Sequence, residues 1–251
     1  MSRQTISTSG CNFAGGRIRS VHVSSQCSSC PEFVTPQSIG NLCLLTLAWI
    51  VTGCSDPLPS QPLAISLSRI ELESQWQASG IPEQGPAEVA EGVLRIGEGT
   101  PMTGIRFVGD WEALKLPWID YALTFEARRV EGQDFFATCT FPVGSPDRCV
   151  SLVVGGWGGG LVGISCIDQL DASENNTRGE MAFKNGTWYQ FRIEVREDDL
   201  QVWINGAPMV NVSIKGRQLS LRSGDIDSCA PLGFATWRTV GEIRSIVFQR
   251  L

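Results

Sequence analysis

The sequence predicts an all-β protein, a two-sheet sandwich occupying residues 65–251. Three observations predict it. Apolar and polar residues alternate with a period of two in one segment after another. Clusters of Gly, Pro, Asn and Asp separate those segments, and no long stretch carries the 3.6-residue period of a helix. Many short strands punctuated by turn residues read as a sandwich, with a closed barrel as the competing architecture.

The strands follow in order. Leu123, Phe125 and Ala127 alternate with Thr124, Glu126 and Arg128. Phe135 to Val143, Val150 to Val154 and Leu161 to Ile167 are apolar runs short enough to be buried strands. In Trp188 to Arg196, apolar Phe191, Ile193 and Val195 alternate with Gln190, Arg192, Glu194 and Arg196, which marks one buried and one wet face. Leu200, Val202 and Ile204 repeat the pattern after the Glu197-Asp198-Asp199 turn, and Trp203 between them should face away from the core. Asn205-Gly206 supplies two residues that tolerate positive φ, so a hairpin returns through Val210, Val212 and Ile214. Phe234 to Trp237 and Ile243 to Phe248 complete the set.

Ahead of the sandwich the chain changes character. Residues 1–37 are Ser-rich and aperiodic, an unstructured extension or a mis-assigned start. Residues 38–54 hold an apolar run, Leu42 to Val51, too short to span a bilayer but of signal-peptide length. It ends in Val51-Thr52-Gly53-Cys54, which resembles a bacterial lipobox with Cys54 as the lipidated N-terminus, although Pro36 to Asn41 lacks the usual Lys or Arg. Residues 55–64 are Pro-rich and read as a tether. The expected location is therefore the bacterial cell envelope, with membrane contact only through a lipid anchor.

Beyond Cys54 stand 25 acidic and 17 basic residues. Such a surface lacks the clustered cations that phosphate contacts need, which excludes a nucleic-acid partner. Cys27-Ser28-Ser29-Cys30 has no second pair, and His22 is the only histidine, so a zinc knuckle is not expected. Cys139, Cys149, Cys166 and Cys229 permit two disulfides in an exported domain, or four buried thiols.

Two segments concentrate chemistry. Gly155-Gly156-Trp157-Gly158-Gly159-Gly160 contains a formal GxGxxG, but no βαβ unit surrounds it, so a dinucleotide is excluded. It reads as a side-chain-poor loop beside an exposed Trp157, whose flat indole suits a sugar face, or as a glycine-rich hairpin with Trp157 packed inside. Residues 168–177 gather carboxylate, hydroxyl and amide oxygens in one loop. Asp168, Asp171 and Glu174 are the candidate acids and bases, and Gly158, Gly159, Ser173, Asn175 and Arg178 join Trp157 as candidate ligand contacts. The loop also offers oxygen ligands for Ca²⁺ or another divalent metal, without EF-hand spacing. A solvated loop accounts for the same composition. Asn175, Asn185 and Asn211 lie in N-x-S/T sequons that a bacterial host leaves unused.

The run Lys184 to Val195, with Gly186-x-Trp188-Tyr189 and Arg192 in it, and the following Leu200-Gln201-Val202-Trp203-Ile204-Asn205-Gly206 resemble the concanavalin A-like lectin/glucanase superfamily. Pro231 to Trp237 and Ile243 to Ile246 look like the closing strands of the same jelly roll. Within it the chain is most similar to the 3-keto-disaccharide hydrolase family, abundant in planctomycete-like bacteria and often carried on exported lipoproteins. The resemblance implies removal of the proton at C2 of a 3-ketoglycoside and loss of the C1 oxygen. With no histidine after Cys54, the base would come from Asp168, Asp171, Glu174, Glu126 or Tyr189, and Arg178 or Arg192 would face the enolate. The spacing of the three loop acids differs from the i, i+2 glucanase pair, which argues against retaining-glucanase chemistry. Three functions are compared: saccharide binding first, a 3-ketoglycoside hydrolase or lyase second, and a structural envelope module third.

Overall fold

The computed structural model describes residues 64–251, so the expectations for the N-terminal extension, the signal segment and Cys54 lie outside the described residues. Fifteen strands form in chain order: β1 (Ala64–Ser66), β2 (Trp76–Ala78), β3 (Ala87–Ala90), β4 (Val93–Ile96) and β5 (Met102–Phe107). Then come β6 (Tyr121–Glu131), β7 (Thr138–Ser145), β8 (Arg148–Gly155), β9 (Leu161–Ser165) and β10 (Gly179–Glu180). The last are β11 (Tyr189–Val195), β12 (Asp199–Ile204), β13 (Ala207–Ser213), β14 (Gly233–Trp237) and β15 (Val240–Arg250).

They make two sheets rather than a closed barrel. The first runs β13-β12-β11-β6-β15-β4-β3, with β1 also on β15, and the second runs β10-β9-β8-β7-β14-β5-β2. The pairings between strands are antiparallel, as a jelly-roll sandwich requires. The predicted hairpin forms with Asn205 at φ 50° and Gly206 at φ 77°, the two left-handed residues a tight antiparallel return needs.

The alternation read from the sequence is the burial seen. Phe191, Ile193 and Val195 lie opposite Phe125, Leu123 and Tyr121, and all six are buried between the sheets. Phe125 stacks on Phe191 with centroids 4.9 Å apart and meets Phe234 of the other sheet edge-on at 5.0 Å. Each such ring removed from water contributes roughly 1.5–3 kcal/mol. Trp203 faces outward, opposite Arg192, as expected. Trp188 is held on the same outer face by Arg128 and Arg244, whose guanidinium carbons sit 4.7 and 4.0 Å from its ring.

In the second sheet the strands are buried on both faces, and the register explains how. Phe141, Val150, Leu152, Val162 and Ile164 point into the core. The intervening residues form rows across the outer face. Ala235 lies opposite both Gly104 and Thr138, and Val153 opposite Gly163. A second row aligns Gly233, Thr140, Ser151 and Ser165. Small residues fill both rows, which leaves a shallow trough for the loops to border.

The four described cysteines are free and buried, so of the two alternatives, disulfides or buried thiols, the structure has thiols. Their sulfurs face main-chain or hydroxyl oxygens instead: Cys149 Sγ is 3.2 Å from Pro146 O, and Cys229 Sγ is 3.4 Å from Ser79 Oγ. Burial pushes the Cys149 thiol up to about 12 and Cys229 to about 11.

Candidate functional site

A groove of about 450 Å³ opens on the outer face of the second sheet. Thr138, Ser151, Val153 and Ser165 of β7, β8 and β9 are among its lining residues. Met102, Phe135, Trp237 and Ile226 line it with apolar surface, while Asp134, Asp171, Arg222 and Asp225 supply the charges. Trp157 completes the lining and is 50% exposed.

Trp157 sits on the single turn Gly156–Gly159 between β8 and β9. Its backbone is left-handed, at φ 49° and ψ 50°, a conformation that costs an aromatic residue about 1–2 kcal/mol. Gly155, Gly158 and Gly159 beside it all have positive φ, so the glycine run is what allows the chain to turn this tightly. Gly159 has a further reason to lack a side chain: a Cβ there would lie 2.7 Å from Gln133 O and 3.1 Å from Arg129 Nη1. The expectation of a side-chain-poor loop with an exposed indole matches this geometry.

Arg129 braces that loop from behind. Its side chain is buried, donating to Asn185 Oδ1 at 2.6 Å and Phe183 O at 2.7 Å, with Asp134 O at 3.4 Å. Burial lowers its pKa below the ordinary guanidinium value. Asp134, on the groove side, accepts from Phe135 N at 2.8 Å and from Gly158 N at 3.3 Å.

The 168–177 loop divides into a groove side and a structural side. Asp171 is buried in the groove wall. Its Oδ1 accepts from Ser165 Oγ at 2.6 Å and Ala172 N at 2.7 Å, and its Oδ2 pairs with Arg222 at 2.5 Å. Asp168 is turned away. It occupies a two-residue turn, with Asp168 at φ 52° and Gln169 at φ 66°, and its carboxylate accepts from Gln218 N at 2.9 Å and Arg217 Nε at 2.5 Å. The Gln218 amide, then the Arg217 guanidinium, hold its carboxyl below the usual range. Glu174 reaches only the Asp171 amide, at 3.4 Å. Of the three expected acids, the structure brings Asp171 alone into the groove.

Asn175 and Thr177 hold the loop in place. The short β10 pairs with β9 only at Leu161 and Val162, so the edge beyond it needs other partners. Thr177 Oγ1 accepts from Ile164 N at 2.8 Å and Asn175 Nδ2 donates to Ile164 O at 2.7 Å, replacing the missing strand. Asn175 also bonds Leu170 O, Asp171 O and the Thr177 side chain, so its role is structural rather than ligand contact. Ser173 and Gly159 do not line the groove, Gly158 meets it only through its amide on Asp134, and Arg178 pairs with Glu180 in solvent.

The bases suggested outside this loop are also placed elsewhere. Glu126 pairs with Arg244 and Arg192 with Glu194, both on the first sheet. Tyr189 is buried and its hydroxyl accepts from Lys184 N. Among the described residues no three His, Cys, Asp or Glu side chains converge as a metal site. The loop oxygens suggested for Ca²⁺ are largely committed to Arg217, Arg222 and main-chain amides.

Sequence reasoning missed Arg222, Asp134, Ser165, Asp225 and Thr138. Ser165 had a signal, since it falls on the outward beat of β9; Arg222 had none, lying in an aperiodic stretch. Thr138 has a hydroxyl that is buried and without a hydrogen-bond partner at the groove's edge.

The structure of the Crh5 transglycosylase in complex with NAG aligns with a TM-score of 0.51 at 12% identity, over 76% of this chain and 84% of that one. The carbohydrate-binding module CBM66 from Bacillus subtilis aligns with a TM-score of 0.45 at 8% identity, over 70% and 95% of the two chains. Domain 4 of the Geobacillus stearothermophilus arabinanase AbnA, in complex with arabinotriose, gives 0.45 at 14% identity, over 76% and 92%. The first likeness establishes a shared sandwich fold. Among curated proteins none matches the chain. Residues 72–226, a stretch that contains β2 to β13, match the family described as the 3-keto-alpha-glucoside-1,2-lyase-like domain, and the chain belongs to that family.

Proposed function

We propose that the groove binds a saccharide and that the domain serves as a glycan-binding module of the bacterial cell envelope. The single observation that carries the reading is the half-exposed Trp157, fixed on a strained glycine turn beside a groove lined with hydroxyls and carboxylates. An indole face covers the C–H surface of a pyranose while nearby polar groups meet its hydroxyls, the usual composition of a sugar site. That the sandwich of a transglycosylase in complex with NAG shares the fold supports it. The test is titration calorimetry of the full chain against a broad panel of oligosaccharides and polysaccharides. Trp157→Ala should weaken binding by about tenfold or more, as loss of an aromatic platform does, with an unchanged thermal midpoint. A panel in which nothing binds the wild type refutes the reading.

A second reading, 3-ketoglycoside lyase or hydrolase chemistry, is favoured by family membership and by the Asp171–Arg222 pair. Asp171 would take the C2 proton, the C–H electrons would form the C1–C2 double bond, and the C1 oxygen would leave and be protonated. Arg222, on the same carboxylate, would face the developing enolate at C3. Water adding across the double bond would complete hydrolysis. Incubation with a 3-keto-disaccharide, comparing wild type with Asp171→Asn, decides it: product from both alike removes Asp171 from the chemistry.

The envelope location rests on the Leu42 to Cys54 pattern. Mass spectrometry of the mature N-terminus tests it, and an intact chain with unmodified Cys54 overturns it.

A further inference from the structure

We infer that the groove selects its glycan by charge, favouring sugars that carry an ammonium group, accepting neutral ones and rejecting those that carry a carboxylate. This rests on the saccharide-binding reading and adds the ligand class to it. The groove is lined by three carboxylates, Asp134, Asp171 and Asp225, and by one cation, Arg222. Arg222 is spent on Asp171, which leaves the other two without an ion-pair partner on the groove face. Asp225 is exposed at the start of the short 3-10 helix Asp225–Cys229, and its side chain makes no hydrogen bond or ion pair among the described residues. Asp134 receives only main-chain amides, from Phe135 and Gly158. Arg129 lies behind Asp134, but its strong bonds go to Asn185 and Phe183, and it does not line the groove.

A second observation points the same way. The exposed indole of Trp157 presents a negative π face, which attracts an ammonium group and repels a carboxylate. The surrounding surface adds a long-range contribution of the same sign, because residues 64–251 carry 24 acidic and 17 basic side chains. A carboxylate entering the groove meets two like charges with no ion-pair partner on the groove face, Asp225 and Asp134, the second partly offset by Arg129 behind it. An ammonium in the same place meets the free carboxylate of Asp225, the Asp134 carboxylate and an aromatic face.

The test uses the full chain and three matched disaccharide series: neutral hexose units, the same units with a C2 amine, and the same units oxidised to C6 carboxylates. At low salt the amine series should bind tightest, and the carboxylate series should bind about tenfold or more weaker than the neutral one. Both gaps should shrink at high salt and in Asp225→Asn and Asp134→Asn. Carboxylate sugars binding as well as neutral ones, or gaps insensitive to salt and to both substitutions, overturn the inference while leaving the saccharide groove in place. If no series binds, the saccharide reading itself fails and this inference falls with it. A thermal melt of each variant confirms folding, and Asp225, being exposed and unbonded, gives a variant whose fold is not at issue.

Discussion

Replacing Arg129 should unmake the groove from behind. The substitution to make is Arg129→Met, which keeps an unbranched apolar stem beside the Phe136 ring while removing the guanidinium that sits 5.6 Å from it. Two short bonds are lost, to Asn185 Oδ1 at 2.6 Å and to Phe183 O at 2.7 Å; the 3.4 Å approach to Asp134 O is too long to count. Bonds from a charged donor are each worth about 1.5–3 kcal/mol. Removing the donor also strands a buried carbonyl, so the loss should reach about 3–5 kcal/mol. That is a large share of the 5–15 kcal/mol of a typical domain. Urea unfolding followed by tryptophan fluorescence measures it. Hydrogen exchange should then show the 155–160 turn opening more readily, because Asp134 and Gly159 both rest against this residue. Arg129→Lys should fall between, since an ammonium cannot fork to two acceptors held at different angles. Buried charges are often replaced at no cost by apolar residues when both partners go together. Here the acceptors remain, so a loss under about 1 kcal/mol in Arg129→Met would refute the bracing argument.

Three further outcomes follow from the same geometry. Thr138→Val removes a buried hydroxyl with no partner and keeps the shape, so the free protein should gain about 1 kcal/mol, or roughly 2–4 °C in melting temperature; a fall of several degrees would show that the oxygen is bonded. Gly159→Ala should cost about 1–3 kcal/mol in chemical denaturation, from a φ of 114° and the clash with Gln133 O, and more than Gly158→Ala, where only the φ of 88° opposes the new methyl; equal costs would discount the contact. Asp168 has a folded pKa below its unfolded value of about 3.9, so its contribution is present above that pH and lost as pH falls through the folded value. Asp168→Asn should therefore flatten the acid limb of the stability profile, and an unchanged limb would mean that Arg217 and Gln218 do not hold the carboxylate.

The first sheet was legible because its strands have one wet face. Phe191, Ile193 and Val195 announce their direction by alternating with charged neighbours, and the Asn205-Gly206 turn marks the hairpin, although a bulge between Val202 and Trp203 shifts the register beyond it. The second sheet was legible only as apolar runs. Its strands are covered on both faces, so β7, β8 and β9 show no alternation of polarity, and the predicted start at Phe135 was three residues early. The candidate site was half legible for a related reason. Trp157 stood out because only a glycine-rich turn would place an indole there. The 168–177 loop stood out by its oxygen count, but composition does not distinguish a carboxylate facing a ligand from one facing an arginine. Asp168 and Asp171 differ in which arginine they meet, Arg217 or Arg222, and both arginines lie in an aperiodic segment about fifty residues later. That pairing is a property of the topology, and no local pattern encodes it.

The groove itself has a sequence origin that periodicity conceals. On the outward beat of the second sheet stand Gly104, Ala235, Thr138, Val153 and Gly163, neighbours across five strands although they are scattered through more than a hundred residues of chain. The two glycines lie at the ends of the row, and each admits a covering segment against the sheet. A Cβ on Gly163 would lie 3.1 Å from Ala172 O, and one on Gly104 would lie 2.8 Å from Cys229 Sγ. Glycine within a strand marks close approach of another segment: the Ala172 main chain at Gly163, and the side chains of Cys229, Ile81 and Ser79 at Gly104. Between them Ala235, Thr138 and Val153 are too short to fill the space that the flanking segments leave. The loops carrying Asp171 and Ile226 therefore stand apart over a floor of small side chains, and Trp157 closes the space from the β8–β9 turn. Depth, walls and aromatic platform thus arise from separate parts of the chain, and the antiparallel register of β5, β14, β7, β8 and β9 is what brings them to one place.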